Sequence, residues 1–348
     1  MGTFRTLGVA VGVIAASVAL AACGSDDSSS GDGGGDKNVK IGFFGLAARN
    51  VYTTTMYEAA EDEAKKLGAT MEFFDGEYDG GVQARQVQDA TTSGRFDALI
   101  LMPNDAVSIA RPAEQAAEAG LTVTSVQYPI GNEPTEAQPT VEGVVAQVIE
   151  DVVTAAEGLA ESTNEACKDR DPCKVLFLWG NRQSASEQAK RDPYVNGLDD
   201  NVELVAEVDT QFLKDDARSM TADTLRANPD IDVIVSSGDQ MTLGAQEAIE
   251  KSGKTVGTGP NDIILIGYGA TYEGVKLIKS GKWLSAFTLL PQTMGRKVTE
   301  ITVDAARGEE IPESDQGVDQ SDLSPVGVMA TKKSLSEDPS FQGEYAAE

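Results

Sequence analysis

Short apolar runs of about six residues alternate with amphipathic helical stretches along almost the whole chain, and nothing else in it restricts the fold so strongly. VKIGFFGL (39–46), TMEFFD (70–75), DALILM (97–102) and TVTSVQ (122–127) are strand-like. Between them lie helical patterns: VYTTTMYEAAEDEAKKLGA, stopped by Gly68, then 81–92 and 107–119. After a stretch containing Pro and Gly the rhythm resumes with KVLFLWG (174–180), VELVAEV (202–208), DVIVSS (232–237), DIILIGYG (262–269) and LSAFTLL (284–290). Helices are expected near 184–198 and over 214–227, 241–251 and 272–280. Strands this apolar are buried on both faces, which parallel strands joined by crossover helices achieve. Two consecutive series of such units predict an α/β protein with two doubly wound parallel-sheet lobes. A helix opened by Pro291 and closed by Gly308, then a strand over 326–333, end the part expected to be ordered.

The amino terminus bears on where the chain works. Arg5 is the sole charge in residues 1–22, and 7–22 is a run of small and apolar side chains. As a helix that run spans about 24 Å, short of the roughly 30 Å hydrocarbon core, so it reads as a secretory signal peptide. Its end, Leu20-Ala21-Ala22-Cys23, resembles the bacterial lipobox, in which cleavage precedes the cysteine and the thiol takes up lipid. The alternative is an ordinary signal cleaved after an alanine, with Cys23 incidental. Residues 24–37 carry no apolar side chain and read with Cys23 as anchor and flexible tether, with an average reach of about 20 Å. The body is thus expected at the outer face of a cytoplasmic membrane. Removing 1–22 takes one of the 28 basic residues and none of the 56 acidic ones, moving the net charge from −28 to −29. Such a chain repels phosphate backbones, which argues against a nucleic-acid partner.

The chain contains no histidine, which removes Ser-His-Asp and Cys-His catalysis and the commonest zinc ligand. Cys167 and Cys173, in ACKDRDPCK, are spaced for a local disulfide in an exported protein, and two ligands are too few for structural zinc. GYGATYEG follows a strand and opens a helix, but Tyr272 stands where a dinucleotide motif needs its last glycine. It reads as a tight turn. No P-loop occurs and DDSSSGDGGGD lacks the spaced ligands of a calcium loop, so no cofactor or metal site is expected. Nothing in the residues supports an enzyme.

Four longer stretches carry a family likeness: KIGFFGLAARNVYTTTMYEAAEDEAKKLGA, VQDATTSGRFDALILMPND, VIVSSGDQMTLGAQEAIEKSG and LIGYGATYEGVKLIKSGKWLSAFTLLPQTMG. Over about 39–333 the chain resembles the periplasmic-type sugar-binding proteins of the ribose/galactose-binding (type I) class, the substrate receptors of ABC importers. ACKDRDPCK resembles a branch found among actinobacterial lipoproteins. The resemblance implies a three-strand hinge, with crossings near 141–149, 289–291 and 317–322. The amino-terminal lobe would comprise 38–140 plus 291–318, the carboxyl-terminal lobe 141–290 plus 319–335, and 336–348 would be a tail. A small sugar, a polyol or a less polar analogue would lie between the lobes and be enclosed by hinge closure. The implied partner is an ABC permease, and the implied state a monomer. A sensor of the same fold reporting to a membrane kinase is the alternative.

The same resemblance assigns residues. Asn50 and Tyr52, after the first strand, would bond hydroxyls and offer a ring face; Asn50 also suits a helix N-cap. Arg49 is a ligand donor or part of the rim. Gln127 and Tyr128 sit at a strand end where the ribose type has Asp-Arg, and Asp105 reads as a turn-former. In AKRDPYVNG, Lys190 or Arg191 takes the place of a family arginine, Lys190 fitting the spacing better. Asp239 matches a family aspartate that binds ligand or braces the adjacent helix. Gly238, Gly269 and Leu289 stand where the ribose type has polar side chains, whereas Trp179, Tyr268 and Phe287 add aromatic surface at strand ends. The resulting pocket is less polar than a ribose site, which argues against ribose itself.

Overall fold

A computed structural model describes residues 38–347 of the 348-residue chain. The expected signal peptide (1–22), lipidation at Cys23 and tether (23–37) lie outside the described residues. The chain begins with β1 (Lys40–Gly45), α1 (Val51–Lys66), β2 (Thr70–Asp75), α2 (Gly80–Ser93), β3 (Ala98–Leu101), α3 (Ala110–Glu118), β4 (Thr122–Gln127) and β5 (Val144–Ile149). It continues through α4 (Val152–Cys167), β6 (Cys173–Trp179), α5 (Ala185–Asn196), β7 (Val202–Asp209), α6 (Lys214–Ala227) and β8 (Val233–Ser236). Then come α7 (Asp239–Lys251), β9 (Ile264–Gly269), α8 (Tyr272–Lys279), β10 (Ser285–Thr288), α9 (Pro291–Ala306), β11 (Gly317–Asp319) and β12 (Met329–Thr331).

Two six-stranded sheets result, ordered β2-β1-β3-β4-β5-β11 and β7-β6-β8-β9-β10-β12. Pairing is parallel except for β12 on β10. Each sheet is apolar on both sides, because successive strand residues point to opposite faces. Ile41 and Phe43 enter one core while Phe44 enters another; Val175, Phe177 and Trp179 alternate with Leu176 and Leu178. Burying each large apolar side chain stabilises by about 1.5–3 kcal/mol, so both faces need helices over them. α1 and α9 cover one face of the first sheet, and α2 and α3 the other. On the second sheet α4 and α5 lie opposite α6, α7 and α8. The expected two-lobed doubly wound α/β architecture is what the chain forms.

Among the described residues the chain changes sheet three times: after Ile149, between β10 and α9, and between β11 and β12. Gln320 links two of these crossings, its Oε1 accepting from the Leu290 backbone N–H at 3.0 Å. Two expectations are corrected. A lobe boundary at 140/141 falls too early, because β5 pairs with β4 through Ile149 and so belongs to the first lobe. Nor does the expected tail (336–348) trail over its described residues, 336–347: Phe341 is buried in the second lobe's core, and Glu344 and Ala347 bond to different lobes. Cys167 and Cys173 form the expected disulfide, joining the end of α4 to the start of β6. Among the described residues no helix is long and apolar enough to cross a membrane.

Candidate functional site

Carboxyl ends of strands from both sheets meet between the lobes, and the residues there include a network of buried polar side chains. In the first lobe, Asn50 caps α1 by accepting from the Thr53 N–H at 2.8 Å. Its Nδ2 donates to the Tyr78 hydroxyl at 2.8 Å, and the Arg49 guanidinium lies 4.9 Å from the Tyr78 ring centre. These three groups form a rim, with Tyr78 47% exposed. In the first turn of α1, Tyr52 points inward and packs against the cores of both lobes. Its hydroxyl donates to Gln127 Oε1. Gln127 is buried and holds φ at +71°, a left-handed conformation costly for a residue with a β-carbon. That turn aims its amide at Glu150, to which Nε2 donates.

Glu150 sits immediately after β5, at the first crossing, and is 4% exposed. Its other oxygen accepts from the hydroxyl of Tyr268, at the end of β9 in the second lobe. A chain of side chains therefore runs from Tyr52 through Gln127 and Glu150 to Tyr268, joining the lobes. Burial pushes the Glu150 carboxyl above its ordinary value; nearby Lys190 and the Tyr268 hydroxyl oppose that shift. Burial, aided by the Glu150 charge, pushes the phenols of Tyr52, Tyr128 and Tyr268 upward, so all three stay protonated.

The Lys190 ammonium lies 4.0 Å from the Tyr268 ring centre and bonds Glu187 Oε1 at 2.8 Å. Glu187 Oε2 accepts from the Gly180 N–H at 2.9 Å, which ties this ion pair to the end of β6. Phe287 backs the Tyr268 ring at 4.6 Å. On the second lobe's rim Phe212 lies over Gly180, where even a β-carbon would meet its ring at 2.0 Å. Phe212 is 41% exposed.

The structure thus gathers Tyr52, Gln127, Tyr128, Lys190, Tyr268 and Phe287, with Arg49 and Asn50 at the rim. It separates three others. Trp179 stacks on Phe177 at 3.8 Å inside the core, its indole N–H donating to Glu207. Arg191 pairs with the same Glu207 at 2.7 Å on the outer side of α5. Asp239 accepts from the N–H groups of Tyr268 and Thr271 and from the Thr271 hydroxyl, at 2.8–2.9 Å. It braces the β9–α8 turn. Asp105 takes the N–H groups of Val107 and Ser108, as a turn-former does.

Glu150, Glu187, Tyr78 and Phe212 belong to this region too, and no motif in the sequence singles them out. A carboxylate directly after a strand (QVIED) and a Glu three residues before Lys190 on one helix face were the available signals.

Two α/β lobes, three crossings and a polar side-chain network joining the strand ends define a two-lobed binding protein of the periplasmic type I architecture. Residues 41–310 match the family model described as periplasmic binding protein domain, and the chain belongs to that family. It is 27% identical over 278 residues to the ribose import binding protein of Bacillus subtilis, covering 80% of this chain and 85% of that one. It is 23% identical over 281 residues to the xylitol-binding protein of Mycolicibacterium smegmatis, covering 79% and 74%. A Bacillus halodurans ABC transporter solute binding protein with bound myo-inositol superposes with a TM-score of 0.73 at 20% identity, covering 89% of this chain and 99% of that one. The family is one of binding proteins, not of enzymes.

Proposed function

We propose that this protein is the extracytoplasmic, lipid-anchored substrate-binding subunit of an ABC importer, holding a small neutral sugar or polyol between its lobes. The observation that carries the reading is the side-chain chain Tyr52–Gln127–Glu150–Tyr268, with Lys190 beside it. A hydroxyl-rich ligand can exchange with every member: Glu150 accepts, Lys190 donates and Gln127 does both. The rings of Tyr52, Tyr128 and Tyr268 suit the C–H faces of a sugar ring. Two buried carboxylates against one lysine disfavour phosphorylated sugars. The names of the relatives, for ribose, xylitol and myo-inositol, support the same ligand class.

Ligand bridging both lobes would drive hinge closure; a switch from 1:99 to 99:1 needs about 5.5 kcal/mol of differential binding. Lipid on Cys23 would hold the protein, as a monomer, beside its permease, each buried CH₂ contributing roughly 0.8 kcal/mol. A thermal-shift screen over pentoses, hexoses and polyols tests the binding reading. A true ligand at 100 times its Kd adds about 2.7 kcal/mol of stability. No rise in Tm with any of them overturns it. Release of the Cys23→Ser variant from the membrane fraction tests the anchor.

A further inference from the structure

Residues 341–347 run between the lobes and touch both of them. Phe341 is buried in the second lobe's core, and its carbonyl accepts from Lys279 Nζ at 2.9 Å, which fixes where the final segment starts. Gly343 then presses against the β9–α8 turn, where a β-carbon would meet the Ala270 carbonyl oxygen at 2.7 Å. Its φ of +88° suits glycine.

Glu344 turns toward the first lobe. Its carboxylate accepts from the N–H groups of Gln292 and Thr293 at 2.7 and 3.0 Å and from the Thr293 hydroxyl, at the start of α9. That side chain is only 12% exposed, so the segment is held there and does not merely drape over the surface. The following residues return to the second lobe. The Tyr345 carbonyl accepts from the Tyr272 N–H at 2.9 Å, and the Ala347 N–H donates to Glu273 Oε2 at 2.9 Å.

Tyr345 itself enters the cleft. Its ring meets Tyr52 edge-on, 5.3 Å between centres and 83° between planes. It packs against the second-lobe cluster that includes Tyr268, Phe287 and Leu289. Room for it exists because position 269 has no side chain: a β-carbon on Gly269 would lie 2.5 Å from the Tyr345 hydroxyl. A carboxyl-terminal tyrosine and a glycine 76 positions earlier are thus fitted to each other in the cleft.

We infer that the carboxyl-terminal strap is part of the ligand chamber: Tyr345 forms one wall, and the strap's bonds to both lobes favour the closed arrangement. This rests on the reading of the cleft as a ligand site. Opening the hinge must break either the Glu344 bonds to α9 or the Tyr345 and Ala347 bonds to α8. Losing the strap therefore favours the open form, and losing the Tyr345 ring removes chamber wall.

The test compares the full chain with Tyr345→Ala, Glu344→Gln and a chain ending at Gln342. Small-angle scattering without sugar should give a larger radius of gyration for the shortened chain. Calorimetry with whichever of myo-inositol, D-allose, xylitol and D-ribose raises the Tm of the full chain should show at least tenfold weaker binding for the shortened chain and for Tyr345→Ala. Glu344→Gln should weaken binding in the same direction. Unchanged scattering overturns the inference, and so does affinity that holds or rises, which would make the strap a bystander or a plug. If none of the four sugars binds the full chain, the sugar reading fails while scattering still decides the strap. Should the shortened chain not fold, the two point variants carry both measurements.

Discussion

The Lys190 ammonium stands 4.0 Å above the centre of the Tyr268 ring, with Glu187 bonded to it at 2.8 Å. Lys190 and Glu187 are almost wholly buried, at 3% and 1% exposure, so the pair exists only as a unit. Removing one partner of such a pair strands the other charge and costs about 3–5 kcal/mol. Lys190→Met is expected to destabilise by that much in urea unfolding and to weaken sugar binding in calorimetry. Arg191→Met, one residue on but outside the cleft, breaks a surface pair, should cost under about 1 kcal/mol and leaves affinity unchanged.

Asn50 has two jobs that substitution separates. Asn50→Ala removes the cap of α1, worth about 1 kcal/mol, and also the donor to Tyr78. Affinity should fall at least tenfold, about 1.4 kcal/mol. Asn50→Asp keeps the cap and loses the donor, so its stability should match the wild type while its affinity stays low. Full affinity in both variants would remove Asn50 from the site.

Asp239 is a brace whose effect depends on pH. Burial pushes its carboxyl from 3.8 up to about 6, against the three hydrogen bonds that pull it down. Because the folded value lies above the unfolded one, the native state holds the proton longer. The stability this provides is fully present below about pH 4 and is lost as pH rises through 6. Asp239→Asn lacks that dependence. Its stability gap to the wild type should narrow by up to about 3 kcal/mol between pH 4 and 6.5 in urea titrations. A gap that stays constant contradicts the assignment.

The disulfide lies at the amino end of β6, while the cleft lies at the carboxyl ends of the strands. Replacing both Cys167 and Cys173 by Ser should lower stability by about 2.4 kcal/mol, the chain-entropy value for so short a loop. Sugar affinity should not change.

The legible parts of the sequence were those whose signals are local. β1 to β4 and β6 to β10 are short apolar runs closed by polar or glycine residues, and Gly68, at φ +70°, ends α1 where the pattern stops. β5 and α4 were harder, because only Glu150 and Asp151 part them in VVAQVIEDVVTAAEGLAEST. The break is made by Asp151, which accepts from the Val153 N–H at 2.9 Å. Adjacent helix residues point about 100° apart, so one of Lys190 and Arg191 had to face away. Glu187, on the same helix face, holds Lys190 inward, while Glu207 on β7 draws Arg191 out. Trp179 reaches the strand end but folds back onto Phe177, two residues before it on the same face. Tyr345 left no trace in any periodicity, since its place depends on Gly269 and on the start of α9.

Calorimetry of the Tyr268→Phe variant tests the central claim most directly. The substitution keeps the ring over which Lys190 lies and deletes only the hydroxyl that reaches Glu150. With a sugar or polyol that binds the wild type one to one, affinity should drop at least tenfold. Equal affinity in the two proteins would mean that ligand binds elsewhere, and that the cleft network only holds the lobes together.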